Sequence, residues 1–591
     1  ADSKQQALDA ADLIEVEYQE LPHIIDTSRS LDPDAPVVHE ELGSNLVFDV
    51  EMGDKAATEA VFSSAHHVTE LTLVNNRITA NPMEPRALLG VYERASDHYT
   101  LWASHQAPHM LRRDLAENTL NHPEERIRVV APDVGGGFGM KVANHPEEPV
   151  VLWASKVVGR PVKWTATRSE GLISDSQARD HWTRCRMAFG KNGEILAIEA
   201  DTIASLGAYQ TRMGASIPSQ FYSRSLSGLY KLKAAWCRVR GVHTNAPPIQ
   251  AYRGAGRPEA IYVLESLVDK GARELGIDIC DIRERSFIQK EEFPYKATLG
   301  LTYEVGDPPT LLRKARDIFG YDELRALQAT TNANGDIRIG IGASCFIDCI
   351  GTPSKVAAGF GRKIVGGWDS ATVRIHPSGG VTVLAGSHSH GQGHATTFAQ
   401  IAADALGCPI ETISLVEGDT DRVLFGHGTW GSRSTVTSGI AVMKASALLN
   451  QKCRAIAAHA FEADVGDVVL QRGVATLRGT DLRMTMREIA QIAHQGGRLP
   501  DGMDPGLEQV AFHDPEDRSY ASGFHFCAVE VDKTTGRVKL LRYGVIDDCG
   551  RIINPLIIEG QAHGGIAQGI GQALMEECAF DEQTGQPLSG S

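Results

Sequence analysis

The sequence predicts a mixed α+β (α/β) architecture, on three observations. Helical and strand-like patterns alternate along 591 residues, too many for one hydrophobic core. Apolar residues make up 42% and charged residues 22%, the balance of an ordinary globular chain. No short-period repeat or low-complexity segment interrupts the pattern, which argues against a solenoid.

Taken in order, Ala7, Ala10, Ala11 and Ile14 have helical spacing and lead into Ile14-Glu15-Val16-Glu17-Tyr18. Arg126 to Ala131 reads as a strand running into Gly135-Gly136-Gly137. Glu147 to Val158 then reads as a helix and Val162 to Thr165 as a strand. Glu259 to Leu275 repeats Ile261, Leu264, Leu267 and Val268 at helical spacing. Two hairpins follow: Ala371–Ile375 turning through Pro377-Ser378-Gly379-Gly380 into Val381–Leu384, and Ala528–Val531 turning through Asp532–Gly536 into Val538–Leu541. The charged, weakly apolar stretch from Gly306 to Asn334 marks a boundary between two large halves. Both ends read as cut from something longer, so a targeting signal is an open matter.

The formal charge of −16 argues against a nucleic-acid partner. No apolar run approaches the ~20 residues that span a bilayer. The ten cysteines are scattered singly, Cys345 and Cys349 being the nearest pair, which gives neither a disulfide framework nor an iron–sulfur cradle. Reduced, buried thiols of a cytoplasmic protein are the expectation.

Three glycine-rich segments carry the functional signal: Gly135-Gly136-Gly137-Phe138-Gly139, Ala251-Tyr252-Arg253-Gly254-Ala255-Gly256-Arg257 and His390-Gly391-Gln392-Gly393-His394. Glycine lets backbone approach a ligand, and exposed N–H groups at such turns seat anions. Three of them suggest one large, polyanionic ligand. The dinucleotide fingerprint G-x-G-x-x-G fails in each, because its third glycine falls on Met140, Glu259 and Thr396. His388, His390 and His394 lack a nearby carboxylate or cysteine in sequence, so metal ligation is the weaker reading of them. Gln392 offers a neutral amide, and Arg253 a cation for an oxyanion or anionic ring.

Together these residues resemble the molybdenum-binding large subunit of the xanthine dehydrogenase, aldehyde oxidase and carbon monoxide dehydrogenase family. The likeness runs through Pro132–Lys141, Gly391–His394 with Thr396-Thr397, Gly431–Thr435, and Asn554-Pro555 followed by Gly560–Gly565. It implies two large elongated molybdopterin-binding domains, at 31–305 and 306–591, after the tail of a hammerhead-like domain at 1–30, with the cofactor between them. It implies a hydrogen bond from Gln106 to a metal oxo ligand, Phe138 as a wall of the substrate pocket, and Arg253 as the residue that orients substrate. Gly136, Gly137, Phe138, Gly139, Arg253, Gly391, Gln392, Gly393, His394, Ser432, Ser434 and Gln561 would hold the cofactor, a molybdenum–molybdopterin cytosine dinucleotide. Its dithiolene supplies the metal's sulfur ligands, so no protein metal cluster is expected. A [2Fe–2S] small subunit and an FAD-binding medium subunit are implied, in a dimer of heterotrimers.

Within the family, carbon monoxide dehydrogenases place a copper-binding cysteine where this chain has Gly254, and purine-oxidising members a glutamate where it has Val142. Both departures point to a different heteroaromatic compound or an aldehyde. The family's catalytic glutamate motif finds no counterpart, and Glu576 and Glu577 sit in the wrong context. A cofactor-binding fragment that needs another chain for turnover is the alternative.

Overall fold

The computed structural model describes residues 1–333, 335–357 and 366–590. Among the described residues, seven sheets and their helices build three main hydrophobic cores. A four-stranded sheet, in the order Ile127–Val130, His98–Ala103, Ala87–Glu93 and Val162–Thr165, packs on the helix Glu147–Val158. That helix ends at Gly159, whose φ of 62° gives the left-handed turn a helix stop favours.

A five-stranded sheet follows, ordered Leu46–Gly53, Ala234–Val242, Ile195–Ser205, His181–Phe189 and His67–Asn75. The helix Arg257–Leu275 lies against it because Ala260, Val263, Leu264, Leu267, Val268 and Ala272 share one buried stripe. Pro258 near its start and Gly276 after its end set its limits.

Gly306 to Asn334 is no loose connector where it is described. Asp307 caps a helix Pro308–Phe319, and a second helix, Tyr321–Ala333, follows. Leu311, Leu312, Ala315, Phe319, Tyr321 and Leu324 join the largest core, which draws on residues from Cys185 to Ala528. The charges of this stretch face water, while its few apolar residues are enough for one face. Asn334 lies outside the described residues.

In the second half, Ile337–Ile350, Ser519–Asp532 and Val538–Asp548 form an antiparallel sheet. Asp369–Ile375 and Val381–Ala385 pair antiparallel within a four-stranded sheet packed on Ile440–Phe461, so both hairpins form. The first hairpin's neighbour Ile413–Val416 leads to Gly418, whose carbonyl accepts from Ala131 N at 2.7 Å, tying the two halves together. Near the start, Lys4–Ala11 is helical, capped by Ser3 and without a buried residue, and Ile14 to Tyr18 is exposed without regular structure. All ten cysteines are free; Cys549 is exposed, against the expectation of burial.

One buried ion pair clamps the largest core. Arg283 is fully enclosed and donates to Glu265 at 2.8 Å, to Asp269 at 2.8 Å and to the Ala343 carbonyl at 2.8 Å. Glu265 also accepts from the Tyr230 hydroxyl at 2.7 Å. Surrounding carboxylates hold the guanidinium charged despite its burial. Removing one partner strands a buried charge. Arg283→Met is expected to cost about 3–5 kcal/mol locally, seen as a lowered Tm by calorimetry, and pairing it with Glu265→Met recovers most of the loss.

Candidate functional site

Gln106 stands where the predicted loops meet. It follows the strand His98–Ala103 and is 2% exposed. Its side-chain oxygen accepts from Gly139 N at 2.9 Å, and its nitrogen donates to the Thr429 carbonyl at 3.0 Å and to His390 Nε2 at 3.3 Å. Its backbone N–H donates to Lys141 O at 2.9 Å, and its carbonyl accepts from Thr429 N at 3.0 Å. One residue thus joins the first glycine loop, the histidine loop and the segment before Ser432. The same bonds engage the amide expected to serve a metal oxo ligand.

The first loop needs its glycines for space. A Cβ on Gly137 would run into the Gln106 amide, and one on Gly139 into the Ala251 carbonyl. Gly136 and Gly139 also have φ of 96° and 105°. Phe138 shares that region at φ 53°, which a side chain that bulky adopts only under constraint. The constraint pushes its ring outward, 39% exposed. Below, Lys141 Nζ is buried and donates to Glu84 Oε2 at 2.8 Å, and the same oxygen accepts from Gly135 N. Burial lowers the pKa of this lysine.

Arg253 ties the loop to a distant helix. Its N–H donates to Phe138 O at 2.9 Å, and its guanidinium lies 5.9 Å from the Phe138 ring centre. The guanidinium donates to Gly564 O at 2.8 Å and Gln561 O at 3.3 Å on the helix Pro555–Leu574. Burial lowers its pKa. Arg179, itself 1% exposed, holds the loop from beneath through the carbonyls of Tyr252 and Arg253.

The histidine loop packs on that same helix, where Gly393 faces Ile557. The structure turns two of its predicted residues inward. Gln392 accepts from His390 N at 2.7 Å and donates toward His394 Nε2 at 3.0 Å and His388 O at 3.3 Å. His394 is buried, its other nitrogen 2.9 Å from Glu417, and its ring stacks on Phe398. A carboxylate therefore does stand beside these histidines, supplied from residue 417. Even so, no group of three or more His, Cys, Asp or Glu suited to a metal ion occurs among the described residues.

Ser432 is exposed with φ 53°, whereas Ser434 is buried and 3.0 Å from the Thr429 hydroxyl. Arg433 between them is fully buried on Asp369 at 2.6 Å and anchors the turn. Gln561 is exposed, and Gly391, Gly431 and Gly560 border open space, since an added Cβ would meet nothing within 4 Å. The arrangement is an open cradle of backbone with Phe138, Ser432 and Gln561 at its rim. It fits a flat, polar group that brings its own metal ligands. The supports the sequence reading missed are Glu84, Arg179, Asp369 and Glu417, each brought from a separate element with no local motif to mark it.

Burial holds the histidines around the site neutral, His105 and His427 at about 3 and His388 and His390 at about 4. Above 6.5 such rings are neutral in both states and contribute no pH dependence. Below it, the unfolded chain binds protons that the folded chain refuses, so stability falls as pH drops from 6.5 toward about 4. Thermal scans across that window are expected to show a falling Tm. His427→Leu, whose ring position packs against Trp368 and Phe425, should flatten the fall.

Residues 38–287 and 314–591 each match a molybdopterin cofactor-binding domain. The carbon monoxide dehydrogenase large chain of Hydrogenophaga pseudoflava is 38% identical, covering 99% of this chain and 74% of its own. The nicotine 6-hydroxylase large subunit of Paenarthrobacter nicotinovorans is 34% identical, over 98% and 71%. The crystal structure of quinoline 2-oxidoreductase from Pseudomonas putida 86 superposes with a TM-score of 0.93 at 34% identity, covering 100% of this chain and 75% of its own. Two matching domains, relatives along nearly the whole chain and an open glycine cradle place the protein in the xanthine dehydrogenase family of oxidoreductases, as a molybdopterin-binding large subunit.

Proposed function

We propose that this chain is the catalytic subunit of a cytoplasmic oxidative hydroxylase acting on an electron-poor carbon of an N-heteroaromatic compound or an aldehyde. In this reading the cofactor is molybdenum–molybdopterin cytosine dinucleotide. The new oxygen comes from water, and two electrons pass to an iron–sulfur small subunit and an FAD-binding medium subunit in a dimer of heterotrimers. When bound, the cofactor would supply the redox centre and a Lewis-acid metal for activating water.

The chain's own residues bind and orient. The backbone of Gly136, Gly137 and Gly139, fixed by Gln106, forms one side of the cradle. Gly391 and Gly393 form another, held in shape by Gln392, beside the N-terminus of the helix His394–Leu406, where phosphate is favoured. Ser432 and Gln561 at the rim would contact the cofactor, and Ser434 holds the turn through Thr429. Phe138 offers a ring for a planar substrate to stack on, and Arg253 favours negative charge that develops on it.

The observation that turns the reading away from carbon monoxide is Gly254. Identity to carbon monoxide dehydrogenases favours carbon monoxide as a second reading. Yet the position after Arg253 has no side chain, is exposed and has φ 95°, so it offers no ligand to a soft second metal.

Metal analysis of the purified complex is expected to find molybdenum without stoichiometric copper. Turnover with an artificial electron acceptor is expected on heteroaromatic compounds or aldehydes and not on carbon monoxide. Absence of molybdenum overturns the reading, and copper-dependent carbon monoxide oxidation replaces it with the second. Arg253→Ala should lower kcat/KM by about 10²-fold or more, and Phe138→Ala should raise KM for a ring substrate by up to about tenfold.

A further inference from the structure

Next to the arginine loop is a narrow cleft whose wall holds Arg224, Arg257 and Arg518, together with Ser225, Cys349 and Thr352. It forms where the short helix Ser223–Ser225, the start of Arg257–Leu275, the end of Ile337–Ile350 and the approach to Ser519–Asp532 come together. Three guanidiniums in one wall repel one another, and a folded protein ordinarily offsets them with carboxylates. Arg257 has such a partner, Asp348, at 3.0 Å.

The other two do not. Among the described residues no carboxylate pairs with the side chain of Arg224 or Arg518, and each has an Nε closed off from solvent without a hydrogen-bond partner. Asp517 accepts from the Arg518 backbone N–H and pairs with Lys355, acting on Arg518 from beyond ion-pair distance, and Asp514 accepts from Ser354 N. Tyr520 shares the Arg518 side chain but brings no charge at neutral pH. Burial and the nearby Arg518 both depress the pKa of Arg224, as an uncompensated pair requires. Residues 358–365, Ala-Gly-Phe-Gly-Arg-Lys-Ile-Val, include no acid in sequence that could serve.

We propose that this cleft binds a carboxylate, gripped by Arg224 and Arg518 with Arg257 behind them. A guanidinium fork matches the two oxygens of a carboxylate, and the cleft, about 20 Å³ at its narrow end and open to the surface, takes an acid group while the rest of its molecule stays outside. The acid has two possible sources. Arg257 donates to the carbonyls of Gly254 and Ala255 at 3.4 Å, so the cleft adjoins the loop that presents Arg253, and the acid group of the substrate itself is one source. A separate organic acid is the other. Only the first rests on the proposed function.

Benzoate titrated calorimetrically into the purified complex tests the site without any turnover, so its result is distinct from that of metal analysis. Binding is expected to weaken with added salt and to drop about tenfold or more in Arg224→Gln/Arg518→Gln. Arg224→Lys, which keeps the charge, is expected to lose less than Arg224→Gln and guards against a folding defect. Benzoate that competes with substrate identifies a substrate acid group; benzoate that binds without competing identifies a separate acid. Either result upholds the site. No benzoate binding, binding unchanged in the double variant, or binding of inorganic phosphate with refusal of benzoate overturns it.

Discussion

The loops of the site are all hung, directly or through one neighbour, from the buried amide of Gln106. A primary amide taken out of water costs free energy unless its oxygen and both hydrogens find partners. Here those partners come from residues 139, 390 and 429, so the amide is satisfied only when three separate segments have docked. His390 can accept the second hydrogen because burial keeps its ring neutral. The requirement runs the other way too. Gly137 and Gly139 can be nothing larger, because the amide and the Ala251 carbonyl occupy the space of a side chain. A cradle assembled in this way is stiff where it must be, at its backbone, and leaves its open face to the glycines that meet nothing.

How much of this was legible follows from the range of each interaction. The helix Glu147–Val158, the stripe of Arg257–Leu275 and both hairpins depend on periodicity, caps and turn residues within a few positions, and they stand where those signals place them. The glycine loops were legible for the same reason. Gly306 to Asn334 was not, because its charges suggested a linker while a few well-spaced leucines and aromatics sufficed to bury one face of two helices.

The partners of the site's supports were also out of reach. Lys141 meets Glu84, Arg433 meets Asp369 and His394 meets Glu417 only after segments far apart in the chain have come together. The orientation of Gln392 is instructive. Its flanking glycines marked it as special, but the same freedom lets the chain fold back so that the amide bonds its own loop. Flexibility between glycines identifies a functional loop without telling which way its polar residue points.

Arg253 combines the tasks that this geometry sets. Its charge is partly desolvated, and its donors already serve the carbonyls of Gly564 and Gln561, so it holds the helix Pro555–Leu574 against the first loop. Its backbone meanwhile supports the strained Phe138. A ligand that draws on this guanidinium therefore acts on a group whose position is set from two sides, with no reorganisation left to make. Preorganisation of that kind raises the electrostatic effect of a cation on developing negative charge. It also explains why small residues follow at Gly254, Ala255 and Gly256. A Cβ on Gly254 would crowd Pro258 and one on Gly256 the turn at Tyr222, and the loop would lose the path that brings Arg253 beneath the helix Pro555–Leu574.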